Sequence, residues 1–469
     1  MKAHREQGSV AILAAFVLPL AIGIGGLALE LSMAFQRQAE LQQLADSVAL
    51  SAALQLDGTS AGITTAIAKA SQSALNHNVR GVGIAILNPA ALSFAGDPGG
   101  PWLDSGTASA APSGLLYVRA DMGAMDSTYT SFSNVFGNFL GVGDSITVGA
   151  RAVAGPNGVR VLPLAVCAPN NVPTATRANG GGVDERVDYG FRFGVGYNLL
   201  ALNPAAGAGS GEYFLVDPVS PPGSSAVSGS TTDSQVAPFM CSGKLAYPSV
   251  AGRLHLRRNG SFALWRQLNS RFNSYGGSDA CSPYSAPPDS NVREFRGSQD
   301  SWMSSNPPQA SAASSTPAAG KPLVTVADGA APLPAIAPAQ YGTLWAYGAA
   351  RKSNSSNSFG TANWAKLYPS TPAFTATGTS WSAAAPPYGN TAFTTAPTGN
   401  PARKERRLLY VPLLSCPVNA GTNVDGSVLA VARFLLTAQA SASEVPGEFA
   451  GILSARELAA LKTDVELLQ

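Results

Sequence analysis

The chain has 469 residues, enough for two or three ordinary domains. Charged residues make up 12%, against roughly 25% in a typical globular protein, and Gly (49) and Pro (34) are plentiful, which argues for a loop-rich, β-rich exported protein and against a compact cytosolic enzyme. A hydrophobic content of 45% excludes wholesale disorder, and a net charge of +2 with no dominant basic stripe argues against a nucleic-acid partner.

Residues Val10 to Leu29 carry no charge (VAILAAFVLPLAIGIGGLAL) and supply the ~20 residues needed to cross a bilayer core. Pro19 and Gly23, Gly25 and Gly26 are tolerated in membrane helices. Lys2, His4 and Arg5 precede the span and Glu30 follows it, so the positive-inside rule puts the N-terminus in the cytoplasm and the bulk in the periplasm. A cleaved signal peptide would have a shorter apolar region and a small-x-small site, which Ser32-Met33-Ala34 supplies poorly. A prepilin leader ending at Gly8 would want Glu where Leu13 stands. Gly23-Ile24-Gly25-Gly26-Leu27-Ala28 fits a loose dinucleotide pattern, but inside a membrane run it reads as small residues permitting close helix contact.

The helix continues beyond the span. Leu27, Leu31, Ala34, Gln38, Leu41, Ala45, Val48 and Ala52 recur at heptad spacing as one apolar stripe. The stripe packs either on its own domain or on a partner helix. Asp57-Gly58 breaks the helix. A second helix is predicted over Ile63 to Asn76, strands over Gly81 to Leu87 and Leu115 to Met122, a helix over Asp126 to Leu140 and a strand over Ser145 to Ala154. The sum is a small α+β module.

The opening GSVAILAAFVLPLAIGIGGLALELSMAFQRQAELQQLADSVALSAA resembles the N-terminal domain of TadG-like Flp (Tad-type, type IVc) pilus-assembly proteins. The resemblance rests on the Gly-x-Val-Ala start, the acidic residue closing the span, and Leu41-Gln42-Gln43-Leu44-Ala45-Asp46-Ser47-Val48-Ala49-Leu50-Ser51-Ala52-Ala53. Ile146 to Ala154 is similar to the family's final strand, so the likeness covers the first third of the chain. It implies a structural part in building or anchoring an adherence pilus, with other pilus-machinery or pilin-like membrane proteins as partners. Many relatives carry a von Willebrand A domain with an Asp-x-Ser-x-Ser metal motif; no such motif occurs here.

In the remainder, Arg160 to Val166 and Leu408 to Ser415 read as strands, each closing a Pro-Leu-x-x-Cys motif at Cys167 and Cys416. They are expected to be neighbours in one sheet. Further strands are predicted over Tyr189 to Tyr197, Glu212 to Val216 and Ser427 to Leu436, with low-complexity loops at 218–234 and 304–338. Four cysteines beyond the span, Cys167, Cys241, Cys281 and Cys416, point to two disulfides. Sequence allows three connectivities; Cys241–Cys281 and Cys167–Cys416 are favoured, the first closing a modest loop and the second joining the matching strands. Arg403, Lys404, Arg406 and Arg407 read as a charged strand edge, or as a phosphate or lipid-headgroup contact. Ser454-Ala455-Arg456-Glu457 is a capping box, predicting a helix through Leu468 with Leu458, Leu461, Val465 and Leu468 on one face.

No catalytic constellation emerges. The histidines are His4, His77 and His255, and HExxH is absent. Gly58-Thr59-Ser60-Ala61-Gly62 matches a hydrolase elbow only in letters, since a helix precedes it. Asp184, Glu185 and Asp188 could hold calcium but fit no known loop spacing. The expectation is therefore a non-enzymatic, single-pass protein of the bacterial inner membrane, with no cofactor or metal. Its organisation is a cytoplasmic tail (1–8), a membrane helix (9–30), an α+β periplasmic module (31–157) and a β-rich periplasmic domain (158–469). The helix-partner stripe would be Leu31, Ala34, Leu41, Ala45, Val48 and Ala52. The rival reading is a surface adhesin or carbohydrate-binding protein that stacks sugars on Trp345, Tyr347, Trp364, Tyr368 and Trp381.

Overall fold

The computed structural model describes residues 7–469 except 57–58, 80–81, 85–86, 97, 113–114, 140, 142, 204–212, 221–230, 251, 260, 277–280, 297–301, 313–324, 329–339, 370–371, 376–381, 383–384, 463–464 and 469. The fold is mixed α+β: a long apolar helix, a small α+β unit and β-rich sheets. Two compact units divide it, Met1–Asn157 with Thr463–Gln469, and Gly158–Lys462.

In the first unit, α1 (Gln7–Ala53) runs unbroken through Pro19. Its C-terminal half repeats apolar residues every three or four positions, so one side can bury. Leu41, Leu44, Ala45, Val48, Ala49 and Ala52 do so completely. α2 (Ser60–Leu75) lies against that face through Ala66, Ala70 and Ala74, and the alanines let the helices approach until the Ser47 and Ser73 hydroxyls meet at 2.6 Å. Thr59 starts α2 by accepting from Gly62 N, which confirms a helix start rather than a hydrolase elbow. The expected break at Asp57-Gly58 lies outside the described residues.

A hairpin, β1 (Asn78–Val79) and β2 (Val82–Gly83), occupies part of the predicted 81–87 strand. β3 (Leu92–Ala95) and α3 (Ser105–Ala110) follow, then β4 (Tyr117–Asp121). The predicted helix over 126–140 is instead α4 (Ser127–Thr130), β5 (Ser131–Ser133) and α5 (Val135–Phe139). Polar side chains break it: Asp126 caps α4 through Thr128 N at 2.8 Å, and Asn134 accepts from Gly137 N at 2.9 Å to start α5. The predicted 145–154 strand is likewise split, into β6 (Ser145–Thr147), paired with β5, and β7 (Arg151–Pro156). β3, β4 and β7 form an antiparallel sheet whose fourth strand is Val465–Leu468, paired to β7. The predicted terminal helix therefore stops early, and the last strand returns to the first unit, where the half-buried Val465 and Leu467 pack against its core.

The second unit contains β8 (Leu164–Cys167), β9 (Ala175–Ala178), β10 (Asp184–Asp188), β11 (Phe191–Arg192), β12 (Gly196–Asn198), β13 (Tyr213–Val216), α6 (Asp233–Ser242), β14 (Arg253–Asn259), α7 (Trp265–Asn269), α8 (Trp364–Leu367), β15 (Leu408–Leu414), β16 (Asn423–Leu436), β17 (Pro446–Ile452) and α9 (Ala455–Ala459). The single strand predicted over 189–197 is cut in two because Gly190 (φ 84°) and Gly194 (φ 71°) turn the chain through left-handed backbone. The large sheet runs β12-β17-β16-β14-β13-β8-β15, and β15 also pairs with β16. β8, β13, β14, β16 and β15 thus form a closed circuit, whose core includes Ala165, Phe214, Val216, Leu254, Leu256, Leu414 and Val431. A larger, aromatic core gathers Phe191, Phe434, Phe449, Trp302, Trp345 and Trp364.

β8 and β15 are neighbours and parallel, with Leu413 opposite Val166 and Leu414 opposite Cys167. Cys167–Cys416 stitches this short seam, and Cys241–Cys281 ties the end of α6 to the 281 loop. All four cysteines are paired.

Candidate functional site: the long apolar helix and its clamp

Among the described residues, one helix is long and apolar enough to cross a membrane. Ile12, Leu13, Phe16, Val17, Leu18, Leu20, Ile22 and Ile24 are exposed, so this stretch is apolar on every side and, among the described residues, left largely uncovered by its own chain. In water such a surface costs about 25 cal/mol per Å² of apolar area, whereas a bilayer removes the cost. Pro19 leaves one backbone carbonyl without its intrahelical donor, which membrane helices tolerate.

At the end of this stretch α1 is gripped by the 127–139 segment. Gly26, Glu30 and Arg37 occupy one helical face at steps of four and seven. The Phe136 ring fills the space that a Cβ on Gly26 would need. The Glu30 carboxylate is buried and accepts from Phe136 N at 2.8 Å and Gly137 N at 3.2 Å. These amides belong to the first turn of α5, so a charge that would be costly to bury meets donors that lack intrahelical partners. One turn pair further on, the Arg37 guanidinium donates to the carbonyls of Ser131 and Thr128 and lies 5.6 Å from the Phe132 ring centroid. The segment is thus held by an acid, a base and an aromatic plug, all on α1's exit from its apolar stretch. Val135, beside the plug, is exposed.

The expected partner stripe separates here. Leu41, Ala45, Val48 and Ala52 are buried against their own module, so in the folded unit they are not a surface for another helix; small residues were needed there for α2 and the sheet. Ala34 is nearly buried, while Leu31 is exposed together with Leu27, Leu29, Met33 and Phe35. Sequence reading noticed Glu30 only as the acid closing the span. Its partners lie more than a hundred residues away on a segment read as a plain helix, and no local spacing announces them.

Glu185 is fully buried and paired with Arg192 at 3.0 Å, Asp188 is engaged by Arg186 and Thr174, and Asp184 is exposed, so the three do not converge on a cation. Among the described residues no three His, Cys, Asp or Glu side chains cluster as a metal site. His255 is buried with Nδ1 2.6 Å from Asp425 Oδ1, while His4 lies outside the described residues. Trp345, Trp364 and Tyr368 are interior and Tyr347 is half-buried; their polar atoms are occupied, as in Trp345 Nε1 donating to Tyr368 Oη at 2.6 Å. Trp345, Trp364 and Tyr368 are core residues rather than a sugar platform, Tyr347 packs at the edge of that core, and Trp381 lies outside the described residues.

These features define a small α+β module on a long apolar helix whose apolar stretch ends in a built-in clamp. Residues 8–55, the whole of that helix beyond its first residue, match the family model described as "Putative Flp pilus-assembly TadE/G-like". The chain therefore carries a TadE/G-like segment characteristic of Tad pilus-assembly components. No curated protein and no solved structure matches it.

Proposed function

We propose that the chain is a structural, non-enzymatic component of a Tad (Flp, type IVc) pilus system that supports adherence. α1 anchors it as a single pass in the bacterial inner membrane, N-terminus cytoplasmic, and both folded units stand in the periplasm. The observation that carries this reading is the coincidence of the TadE/G-like match at 8–55 with a helix left uncovered over its apolar stretch. Lys2 and Arg5 before the span and the two disulfides beyond it favour this orientation. Partner membrane helices of the pilus machinery would meet the uncovered flank at Leu27, Leu31 and Phe35, just ahead of the clamped module.

The test is complementation of a strain lacking the gene. One version carries the native chain and another carries residues 31–469 behind a cleavable signal peptide. Pili restored only by the anchored chain, with pilus-machinery proteins cross-linking to Leu31 or Phe35, support the reading. Full piliation by the released chain removes the anchoring role, and normal piliation in the deletion strain removes the pilus role.

A further inference from the structure

The basic run after residue 400 is not a simple charged edge. Arg407 is wholly buried and donates to the carbonyls of Leu436, Asn291, Arg293 and Thr437. Its neighbours instead line a cavity of about 200 Å³ in the second unit, floored by Leu162 and Leu408. We propose that this cavity binds a phosphoryl group through Arg160, Lys244, Arg271, Arg403, Lys404 and Arg406.

Arg271 is buried, and among the described residues its Nε has no hydrogen-bond partner. Its terminal nitrogens reach only carbonyls, Met240 O at 3.2 and 3.3 Å and Gln267 O at 3.4 Å. Arg406 likewise donates only to carbonyls: Pro287 O at 3.1 Å, Ser242 O at 2.8 Å and Cys241 O at 2.8 Å. Among the described residues neither guanidinium has a carboxylate ion pair. Three of the carbonyls close the C-terminus of α6, whose dipole amounts to roughly half a negative charge, too little for two cations. Burial and the repulsion between the two lower the affinity of Arg271 for its proton.

Around them Arg160, Lys244, Arg403 and Lys404 are exposed at the rim. The opposing acids are few. Glu405 lines the cavity but is exposed, and the oxygens of buried Asp289 are already taken by Asn291 N, Arg407 N and Tyr388 Oη, each at 2.8 Å. Among the described residues, six cations meet only exposed Glu405 and the buried, already hydrogen-bonded Asp289, which leaves the site with an excess of positive charge. Planar guanidinium forks beside mobile ammonium groups suit a tetrahedral, multiply charged oxyanion. The group could arrive on a phospholipid head or on a soluble phosphoryl compound.

The experiment uses the full-length chain in uncharged detergent, with amide hydrogen exchange followed at residues 240–244 and 403–410. The probes are inorganic phosphate and micelles doped with phosphatidylglycerol or, as control, phosphatidylcholine. Protection by inorganic phosphate, weakened roughly tenfold or more in Arg403→Gln/Lys404→Gln, establishes a general phosphoryl site. Protection by phosphatidylglycerol micelles alone assigns the site to a lipid headgroup. An unchanged thermal midpoint shows that the double variant folds. No protection from any probe, or protection that survives the double substitution, overturns the proposal.

Discussion

The ring of Phe136 occupies the space where any side chain at position 26 would have to go, so Gly26 is the seat of an aromatic plug on α1. The plug is fixed by Glu30, one turn further along, whose carboxylate holds the amides of Phe136 and Gly137. The apolar stretch of α1 and the module are therefore joined by a side-chain lock as well as by the continuous helix.

Gly26→Leu is expected to expel Phe136 and loosen the 131–139 segment by about 1–3 kcal/mol, the usual cost of overpacking. Glu30→Gln keeps the shape but weakens the charge-assisted bonds, by about 1–2 kcal/mol. Hydrogen exchange at Phe136 and Gly137 reports both. Faster exchange confined to this segment, with the second unit unchanged, is the expected result; unaltered exchange would dismiss the lock.

In the second unit Arg192 and Glu185 are both fully buried and 3.0 Å apart, and Arg192 also holds Ala327 O at 2.8 Å and Leu367 O at 2.7 Å. Removing either partner strands a charge in the core. Arg192→Leu or Glu185→Leu alone should each cost about 3–5 kcal/mol, and the double leucine variant less than the sum. Denaturant midpoints of the three variants decide this; strict additivity would mean that the two side chains act separately.

Two carboxyls set opposite pH limbs. Burial pushes Glu448 from an ordinary value near 4.5 up to about 8, although the amides of Tyr347, Gly348 and Ala346 pull it down. Between pH 4.5 and 8 the folded chain then holds a proton that the unfolded chain has lost, so stability falls as pH rises through that window. Glu457 is held down at about 2 by the Ser454 amide and by Arg433, so its contribution is present above pH 4.5 and is lost as pH falls toward 2. A thermal-midpoint profile should decline toward pH 8 in the native chain and flatten in Glu448→Gln. A native profile that climbs across that window contradicts the assignment to Glu448.

The two disulfides should differ in weight. Cys167–Cys416 spans 249 residues and Cys241–Cys281 spans 40, so on loop-closure entropy the first stabilises more, by roughly 1.5 kcal/mol. Comparing Cys167→Ala/Cys416→Ala with Cys241→Ala/Cys281→Ala by denaturation tests the order. Equal losses would show that native-state contacts, rather than chain entropy, dominate.

Much of the architecture was legible because it rests on short-range pattern. The three-four repeat from Leu41 to Ala52 fixed a buried helix face, and the twin Pro-Leu-x-x-Cys motifs marked β8 and β15 as neighbours. Residues 126–140 misled because helix-compatible letters were overruled by the side chains of Asp126 and Asn134 bonding to local backbone. The tail misled because Val465 and Leu468 suit a helix face and a strand alike, and only β7, some three hundred residues earlier, decides between them. The clamp on Glu30 and the cavity around Arg271 were invisible for the same reason: each joins segments far apart in sequence, and the charges alone read as surface.

The pairing of Val465–Leu468 with β7 means that the whole second unit is spliced between two adjacent strands of the first. A chain anchored by its N-terminal helix and exported in order would deliver β7 early and its neighbour last. Through that interval the early sheet carries an open edge next to β7, a place where a chaperone, or another copy stalled at the same stage, could pair. In that order of export the first unit would be the last to be completed, because its fourth strand lies beyond the whole second unit in sequence.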